Sequence, residues 1–515
     1  MANFDVREGH PHRHRDTVSA CWMSFASTQV RSDESRPSDD AVELGFETAA
    51  SGRAHSTGRG TFVATIALFV STYLVFCISP IVNTSDSMYS MVLSESILDS
   101  HTTHLNEYQF PEPIAQLRTS APPIYDPRNP HSYQLGNVNG NVVYCYPNGS
   151  SILSVPFVAL MNALAISAVT PDRKYNKSGE LIIQKTLAAL LMALLACIVY
   201  RTGLLLLGAA PSALVALGFS FGTQVWSTGT RALWSHTWFI FLGGLVVYHL
   251  LSVEVEHRTV RPVLLASIVS WMYFVRPTGA ITIACVSVYV LVYHRSRFVA
   301  FTVTTASWLA GFVVYSWITF DELIPGYYRS RLGSHDFWIG LYGNLVGPSR
   351  GLFIYVPVLG FVLYLIVRHW RTVPLRRLAV LSTTIAVANA VAIAAYPCWW
   401  GGYCYGPRLM MDTLPWFALM AIIGCAAASV GRSSVLSRGE LAAALILFAL
   451  SVAINGRGAL SPPTQQWSIL VDLDKHPERA LDWSYPQFAA GLVTPPDYVL
   501  ENIKRLRRDA SKSGG

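Results

Sequence analysis

Apolar stretches about the length needed to cross a bilayer recur along this chain, near 61–79, 181–200, 211–228, 233–252, 262–278, 279–294, 298–320, 352–367, 377–396, 412–431 and 439–456. A hydrocarbon core about 30 Å thick takes about 20 helical residues, and within it each backbone N–H and C=O must find a partner inside its own segment. A sequence built this way has few folds open to it beyond a bundle of membrane-crossing helices. Composition agrees: only 13% of its 515 residues are charged and 52% are hydrophobic, against about 25% charged in a soluble domain. The expected fold class is therefore an all-α polytopic integral membrane protein of about 11 transmembrane helices.

Arg201, Arg258, Arg261, Arg295, Arg297, Arg368, Arg371, Arg376, Arg377, Arg432 and Arg438 fall in alternate loops, which sets those loops inside and the C-terminal tail outside. Residues 1–60 are polar and aperiodic, with His10, His12 and His14 among charged neighbours, and read as a disordered cytoplasmic tail. The first apolar run starts too far along, and is too long, for a signal peptide. Residues 61–460 form the membrane domain, with 81–180 a large first outer loop, and 461–515 an outer tail. The run 152–169, broken by Pro156, is expected to lie as a surface or re-entrant helix.

The net charge of +7 resides in tails and short loops with no aromatic-interleaved basic domain, so nucleic acid is not an expected partner. The eight Cys include no C-x-x-C, and no His pair completes a zinc set. Cys398 and Cys404 share a loop that would permit pairing if it faced an oxidising compartment. No Walker A, G-x-G-x-x-G, H-E-x-x-H or G-x-S-x-G motif is present, which removes support for a nucleotide-driven pump or a serine hydrolase.

The loops expected on the outer side hold the chemistry. Asp86 opens a periodic segment, Met88 to Leu98, that is expected to be an amphipathic helix at the membrane surface, with Tyr89 and Ser90 on the face of Asp86. Glu95 would point the other way, so Asp86 would act alone, as a general base or simply as the helix N-cap. Residues 398–415, CWWGGYCYGPRLMMDTLP, combine turn-forming glycines with Trp399, Trp400, Tyr403 and Tyr405, flat faces of the kind on which sugar rings stack. Arg408 there offers a fork for phosphate, with a snorkelling belt residue as the alternative. Arg276, in VRPTG, must face a cavity, a partner or an anion, because placing it in hydrocarbon costs about 2.5–3.5 kcal/mol. Arg350, in GPSRG, precedes another span. His236 reads as a hydrogen-bonded core histidine, and the polar loop from Asp321 to Asp336 could cover a cavity.

Taken in order, the acid after the first span (Asp86), the YPNG stretch at 146–149, VRPTG at 275–279, GPSRGLFIYVPVL at 347–359 and YGPRLMMDTLP at 405–415 resemble the GT-C superfamily of membrane glycosyltransferases, of the bacterial kind that uses a phospholipid-carried sugar. That resemblance implies a GT-C-like bundle whose first extracytoplasmic loop carries interfacial helices. It implies an enzyme of the cytoplasmic membrane that moves a sugar from a polyprenyl-phosphate donor to a glycan, lipid or protein acceptor on the outer side. Asp86 would be the catalytic base; Arg276, Arg350 and Arg408 would hold the donor phosphate; Tyr89, Tyr146, Trp399, Trp400, Tyr403 and Tyr405 would contact sugar or acceptor. No cofactor is indicated, and a divalent metal is left open. Members with two adjacent acids in the first loop differ from this chain, where Ser85 and Ser87 flank Asp86. The alternative from another class is a transporter or lipid flippase, although the two halves show no self-similarity of the kind inverted repeats leave.

Overall fold

The structure, a computed structural model, describes residues 58–111, 114–116, 132–329, 336–429 and 436–513. The tail expected over 1–60 lies almost wholly outside them. Helices dominate: α1 (Gly58–Ile78), α2 (Ser90–Asp99), α3 (Gly149–Ala163), α4 (Lys177–Gly203), α5 (Ala209–Phe221), α6 (Ser235–Val255), α7 (Pro262–Val275), α8 (Gly279–Tyr293) and α9 (Arg295–Phe320) make up the first part. The second part holds α10 (Phe337–Val346), α11 (Leu352–Tyr355), α12 (Val358–Arg368), α13 (Arg376–Ala394), α14 (Leu414–Ala428), α15 (Arg438–Leu460), α16 (Pro462–Leu470) and α17 (Asp497–Ser513).

Among the described residues, seven helical stretches are long and apolar enough to cross a membrane: α1, α4, α6, α9, α13, the continuous stretch Arg408–Ala428, and α15. The protein is thus a helical, membrane-type chain. The other runs expected to span are shorter helices: α5, α7, α8 and α12 have 13, 14, 15 and 11 residues. The run 352–367 is cut between α11 and α12, where Pro357 supplies no N–H to continue the first helix. The run at 152–169 yields α3, 15 residues long.

Burial sorts the long helices into layers. Of the most apolar window of Arg408–Ala428, 83% is buried, and of α4 and α6 67%, whereas α1, α9 and α15 are each only 17% buried. The outward side chains of the outer helices, such as Phe62, Leu74, Val303 and Leu445, are apolar and exposed, the signature of surfaces that meet lipid instead of water.

The long loop between α1 and α4 departs from an all-helical expectation. A small sheet, β1 (Ile114–Gln116), β2 (Ser132–Val138) and β3 (Asn141–Tyr144), pairs β1 with β2 in parallel and β2 with β3 antiparallel. Asn139 and Gly140 both adopt positive φ (51° and 86°) in the two-residue turn between β2 and β3. Asn-Gly suits a type I′ turn, whose twist matches that of the flanking strands. The signal was in QLGNVNGNVVY, but the all-helical reading of the loop passed over it.

The helix expected to begin at Asp86 begins at Ser90 instead, after a turn that ends with Tyr89 at φ 68°. Its first amides are satisfied by the buried carboxylate of Glu180, which accepts from Tyr89 N (2.9 Å) and Met91 N (3.0 Å). Asp86 is therefore not the N-cap. Nor does α2 lie on a surface, for Ser90 through Ser96 are all buried. Glu95 sits inside as well, accepting from Asn162 Nδ2, Ser167 Oγ and Ala168 N, so its partners make burial tolerable.

Candidate functional site

Asp86 is placed by its backbone. At the end of α1 the buried guanidinium of Arg231 donates to the carbonyls of Phe76 (2.8 Å), Ser79 (3.0 Å) and Ile81 (3.4 Å), closing the helix end. Asn83 Nδ2 then reaches the Tyr403 carbonyl at 2.9 Å, and Gln465 holds the carbonyl of Val82. The β2–β3 hairpin takes over from there: Gln134 Nε2 donates to Ser85 O and the Tyr144 hydroxyl to Asp86 O, both at 2.7 Å. Gln184, on α4, closes two further 2.7 Å bonds with Ser87. None of these contacts uses the Asp86 side chain.

The Asp86 carboxylate is accordingly available for other partners. Its Oδ2 accepts from Arg408 Nη1 at 2.7 Å, while among the described residues Oδ1 is met only by the Tyr146 hydroxyl at 3.5 Å, the limit of a hydrogen bond. With its side chain 28% exposed, Asp86 can be reached by a solute. Arg408 starts a 3-10 helix (Arg408–Thr413) just after Gly406, which turns at φ 61° with its α-carbon packed so close to the Tyr355 ring that a Cβ would lie 2.6 Å from it. The guanidinium stacks 4.2 Å over the ring of Trp234. Two buried donors at this stack, Arg408 Nε and Trp234 Nε1, have no acceptor among the described residues. Two such donors side by side suit an anionic oxygen.

Four residues further along the same 3-10 segment, Asp412 is wholly buried. His236 Nδ1 lies 2.8 Å from Oδ1, and Arg276 Nε (3.0 Å) and Thr278 Oγ1 (2.7 Å) donate to Oδ2. Arg276 also donates to Ser235 Oγ at 2.8 Å. The partner that Arg276 required is thus Asp412, not Asp86, and His236 is the core histidine it was expected to be. This buried cluster pins the Arg408 segment to the starts of α6 and α8.

Tyrosines surround the Asp86 carboxyl. Rings of Tyr133, Tyr144 and Tyr327 pack around Tyr146, with centroids 6.5, 5.9 and 5.2 Å away. Burial, and after it the negative charge of Asp86, pushes the hydroxyls of Tyr133, Tyr144 and Tyr146 above the ordinary tyrosine range, so they stay protonated as donors. Tyr146 and Tyr327 also line an adjoining cavity of about 240 Å³ walled by Trp271, Phe274, Trp308 and Phe312. The loop after Asp321 does cover a cavity, through Tyr327 and Tyr328; its residues 330–335, which include Arg331 and His335, lie outside the described residues.

The remaining candidates stand elsewhere. Arg350 is buried with all five N–H groups committed: to Trp400 O (2.6 Å), Ser349 O (2.7 Å), Gln487 Oε1 (2.6 Å), Gly402 O (3.2 Å) and Ser468 Oγ (3.3 Å). It ties the 397–406 loop to the C-terminal segment and has no donor left for a phosphate. Tyr89 is buried against Phe110 and Tyr175. Trp399 is inserted over Gly343, where a Cβ would come within 2.2 Å of the indole, and it joins a core with Trp467 and Tyr485. Trp400 donates from Nε1 to Asp474 (2.9 Å), and Tyr405 from its hydroxyl to Ile454 O (2.6 Å). Tyr403 is half-buried beside Asn83. Cys404 is a buried free thiol and is not cross-linked to Cys398.

Of the residues singled out in the sequence, then, Asp86, Arg408 and Tyr146 meet, with Arg276 behind them. Tyr133, Tyr144, Trp234 and Asp412 were missed, and Tyr327 was expected only as part of the loop that covers a cavity. Asp412 lay within the quoted 405–415 stretch, four residues from Arg408, and was the one with a signal in the sequence. Among the described residues no three His, Cys, Asp or Glu side chains gather as a metal site. No protein-family model matches the chain, and no curated protein matches it.

Proposed function

We propose that this chain is an integral-membrane, inverting glycosyltransferase that takes a sugar from a polyprenyl-phosphate donor and passes it to an acceptor hydroxyl at the outer face of the cytoplasmic membrane. The observation that carries this reading is the Asp86–Arg408 pair: a solvent-reachable carboxylate with one oxygen barely engaged, 2.7 Å from a guanidinium that retains an unpartnered Nε. A base and an anion-binding fork within one hollow are what transfer from a phosphate leaving group requires.

The chemistry follows from those positions. The acceptor hydroxyl oxygen attacks the anomeric carbon while Asp86, through Oδ1, takes its proton, a contribution typically of about 10²- to 10⁴-fold. The bond from that carbon to the phosphate oxygen breaks, and polyprenyl phosphate leaves with the electron pair. Arg408 neutralises the charge that develops there, already oriented by Trp234 and by the Asp412 cluster behind it. One displacement assisted by one base predicts inversion, as in single-step glycosidases. The aromatic-walled cavity of about 240 Å³ beside Tyr146 and Tyr327 offers the apolar part of a lipid-linked donor a place next to its phosphate. Arg350 has no part in this scheme, and Arg276 supports Arg408 through Asp412.

The test is incubation of the purified protein with a panel of radiolabelled polyprenyl-phosphate sugars and envelope-lipid acceptors. Consumption of one donor with release of polyprenyl phosphate, and a product of inverted anomeric configuration, is expected. Movement of lipid-linked sugar across proteoliposomes without consumption of any donor would replace transfer by transport.

A further inference from the structure

A groove opens at the end of α7 away from the Asp412 cluster. Arg276 follows the last residue of α7 and joins the Asp412 cluster, whereas Arg261 precedes its first. Fourteen helical residues separate the two ends by about 21 Å. At the far end the start of α7 and the start of α9 enclose an open groove of about 630 Å³, lined by Thr259, Arg261, Val263, Leu264, Ser267 and Arg297. Its floor is fixed, because Trp308 Nε1 on α9 donates to Ser267 Oγ on α7 at 2.9 Å.

Two properties decide what fits there. The first is charge. Arg261 and Arg297 are exposed, their guanidinium groups have no hydrogen-bond or ion-pair partner among the described residues, and no carboxylate is among the lining side chains. The acids nearby are otherwise engaged, Glu256 with Arg258, and Glu254 with His294 and Arg377. The second is apolar surface beside the arginines: Val263 and Leu264, which line the groove, and Val299, two residues after Arg297, are 59%, 45% and 71% exposed. A small soluble anion would use the arginines alone. A phosphodiester with acyl chains uses both.

We infer that the groove between the starts of α7 and α9 binds the headgroup of an anionic phospholipid, its phosphate between Arg261 and Arg297 and its chains along Val263, Leu264 and Val299. The site lies on the membrane face opposite the Asp86–Arg408 pair and does not depend on what that pair does. Arginine suits it because its fork pairs with two phosphate oxygens at once. Each basic side chain near an anionic surface contributes about 1 kcal/mol, so the pair is worth about 30-fold in apparent affinity.

The test is native mass spectrometry of the intact protein released from nanodiscs containing phosphatidylglycerol, or phosphatidylcholine as the zwitterionic comparison, with glycerol 1-phosphate as the soluble arm. The wild type is expected to retain phosphatidylglycerol in preference to phosphatidylcholine and to bind glycerol 1-phosphate far more weakly. The Arg261→Gln/Arg297→Gln protein should lose about 30-fold in phosphatidylglycerol affinity. The Arg261→Lys/Arg297→Lys protein should lose less, and Arg201→Gln, at an exposed arginine outside the groove, should match the wild type. Equal retention of the two lipids by the wild type overturns the site without recourse to any variant. So does an equal loss in the Arg201→Gln protein, which would mean diffuse attraction to the membrane surface. Glycerol 1-phosphate binding as tightly as the lipid would discard the apolar half of the inference.

Discussion

Asp86→Asn separates the chemistry of the site from its architecture. The Asp86 carbonyl is held by Tyr144 and its neighbours by the Gln134–Ser85 and Ser87–Gln184 bonds, none of which uses the carboxylate, so the turn should survive an isosteric change. Asparagine keeps an acceptor for Arg408 Nη1, and the guanidinium keeps its stack on Trp234. The pair is 28% exposed on one side and 11% on the other, between the exposed pairs that contribute up to about 1 kcal/mol and the buried ones whose rupture costs about 3–5. A loss of about 1–2 kcal/mol in stability is expected. Transfer should fall much further, about 10²- to 10⁴-fold, which is about 2.7–5.4 kcal/mol of barrier. Donor affinity should hold or rise, since the amide competes less well than a carboxylate for the guanidinium that binds the phosphate. The assay is single-turnover transfer beside a separate donor-binding titration, both on protein shown by thermal melting to be folded. Turnover within tenfold of wild type would remove Asp86 as the base. A parallel loss of donor affinity would recast it as a residue that merely positions Arg408.

Three more expectations follow from the same contacts. Arg408→Ala should weaken donor binding by about 10- to 100-fold, the worth of a charge-assisted hydrogen bond, with acceptor affinity little changed; unchanged donor affinity in an equilibrium titration would return Arg408 to structure. Arg350→Met should do the reverse, lowering unfolding stability by at least ~3 kcal/mol in detergent melts because five acceptors, in three buried and two part-buried bonds, lose their donor, while donor affinity of the folded protein stays put. Alkaline titration should destabilise the long loop between α1 and α4. Burial, and after it the charge of Asp99, pushes the Tyr108 hydroxyl from 10.0 up to about 12, and Tyr144 and Tyr146 are raised as well. A tyrosine whose folded pKa exceeds its unfolded one contributes stability fully present below pH 10 and lost as pH rises through the raised value. Melting temperature should therefore drop above pH 10, and a flat profile between pH 9 and 12 would contradict the burial of these hydroxyls.

How much of the site could be read in advance differs from residue to residue. Asp86 and Arg408 were legible because a charged side chain next to an apolar run needs a reason to be there. Their partnership was not, because 322 residues separate them. Arg276 needs a partner by its position alone, but that the partner is Asp412, 136 residues on, is not legible, because Asp412 sits at the start of an apolar run. Arg350 and the aromatic residues 399, 400 and 405 misled for a related reason. A composition that suits sugars and phosphates also suits a tight loop packed on a C-terminal segment, and only the contacts with Gln487, Asp474 and Ile454 tell the two apart.

Hydropathy alone determined that this chain is a helical membrane protein, because the bilayer demands that every backbone polar group in an apolar run be paired locally, and the helix is the one local answer. It also marked where apolar runs lie, since that is a property of neighbours along the chain. Which runs are long helices and which are short, that the long loop after α1 folds a hairpin against Asp86, and which acid each arginine meets were decided only in three dimensions. Those outcomes depend on contacts between residues far apart in sequence, and on whether a buried donor is already satisfied, which no local pattern encodes.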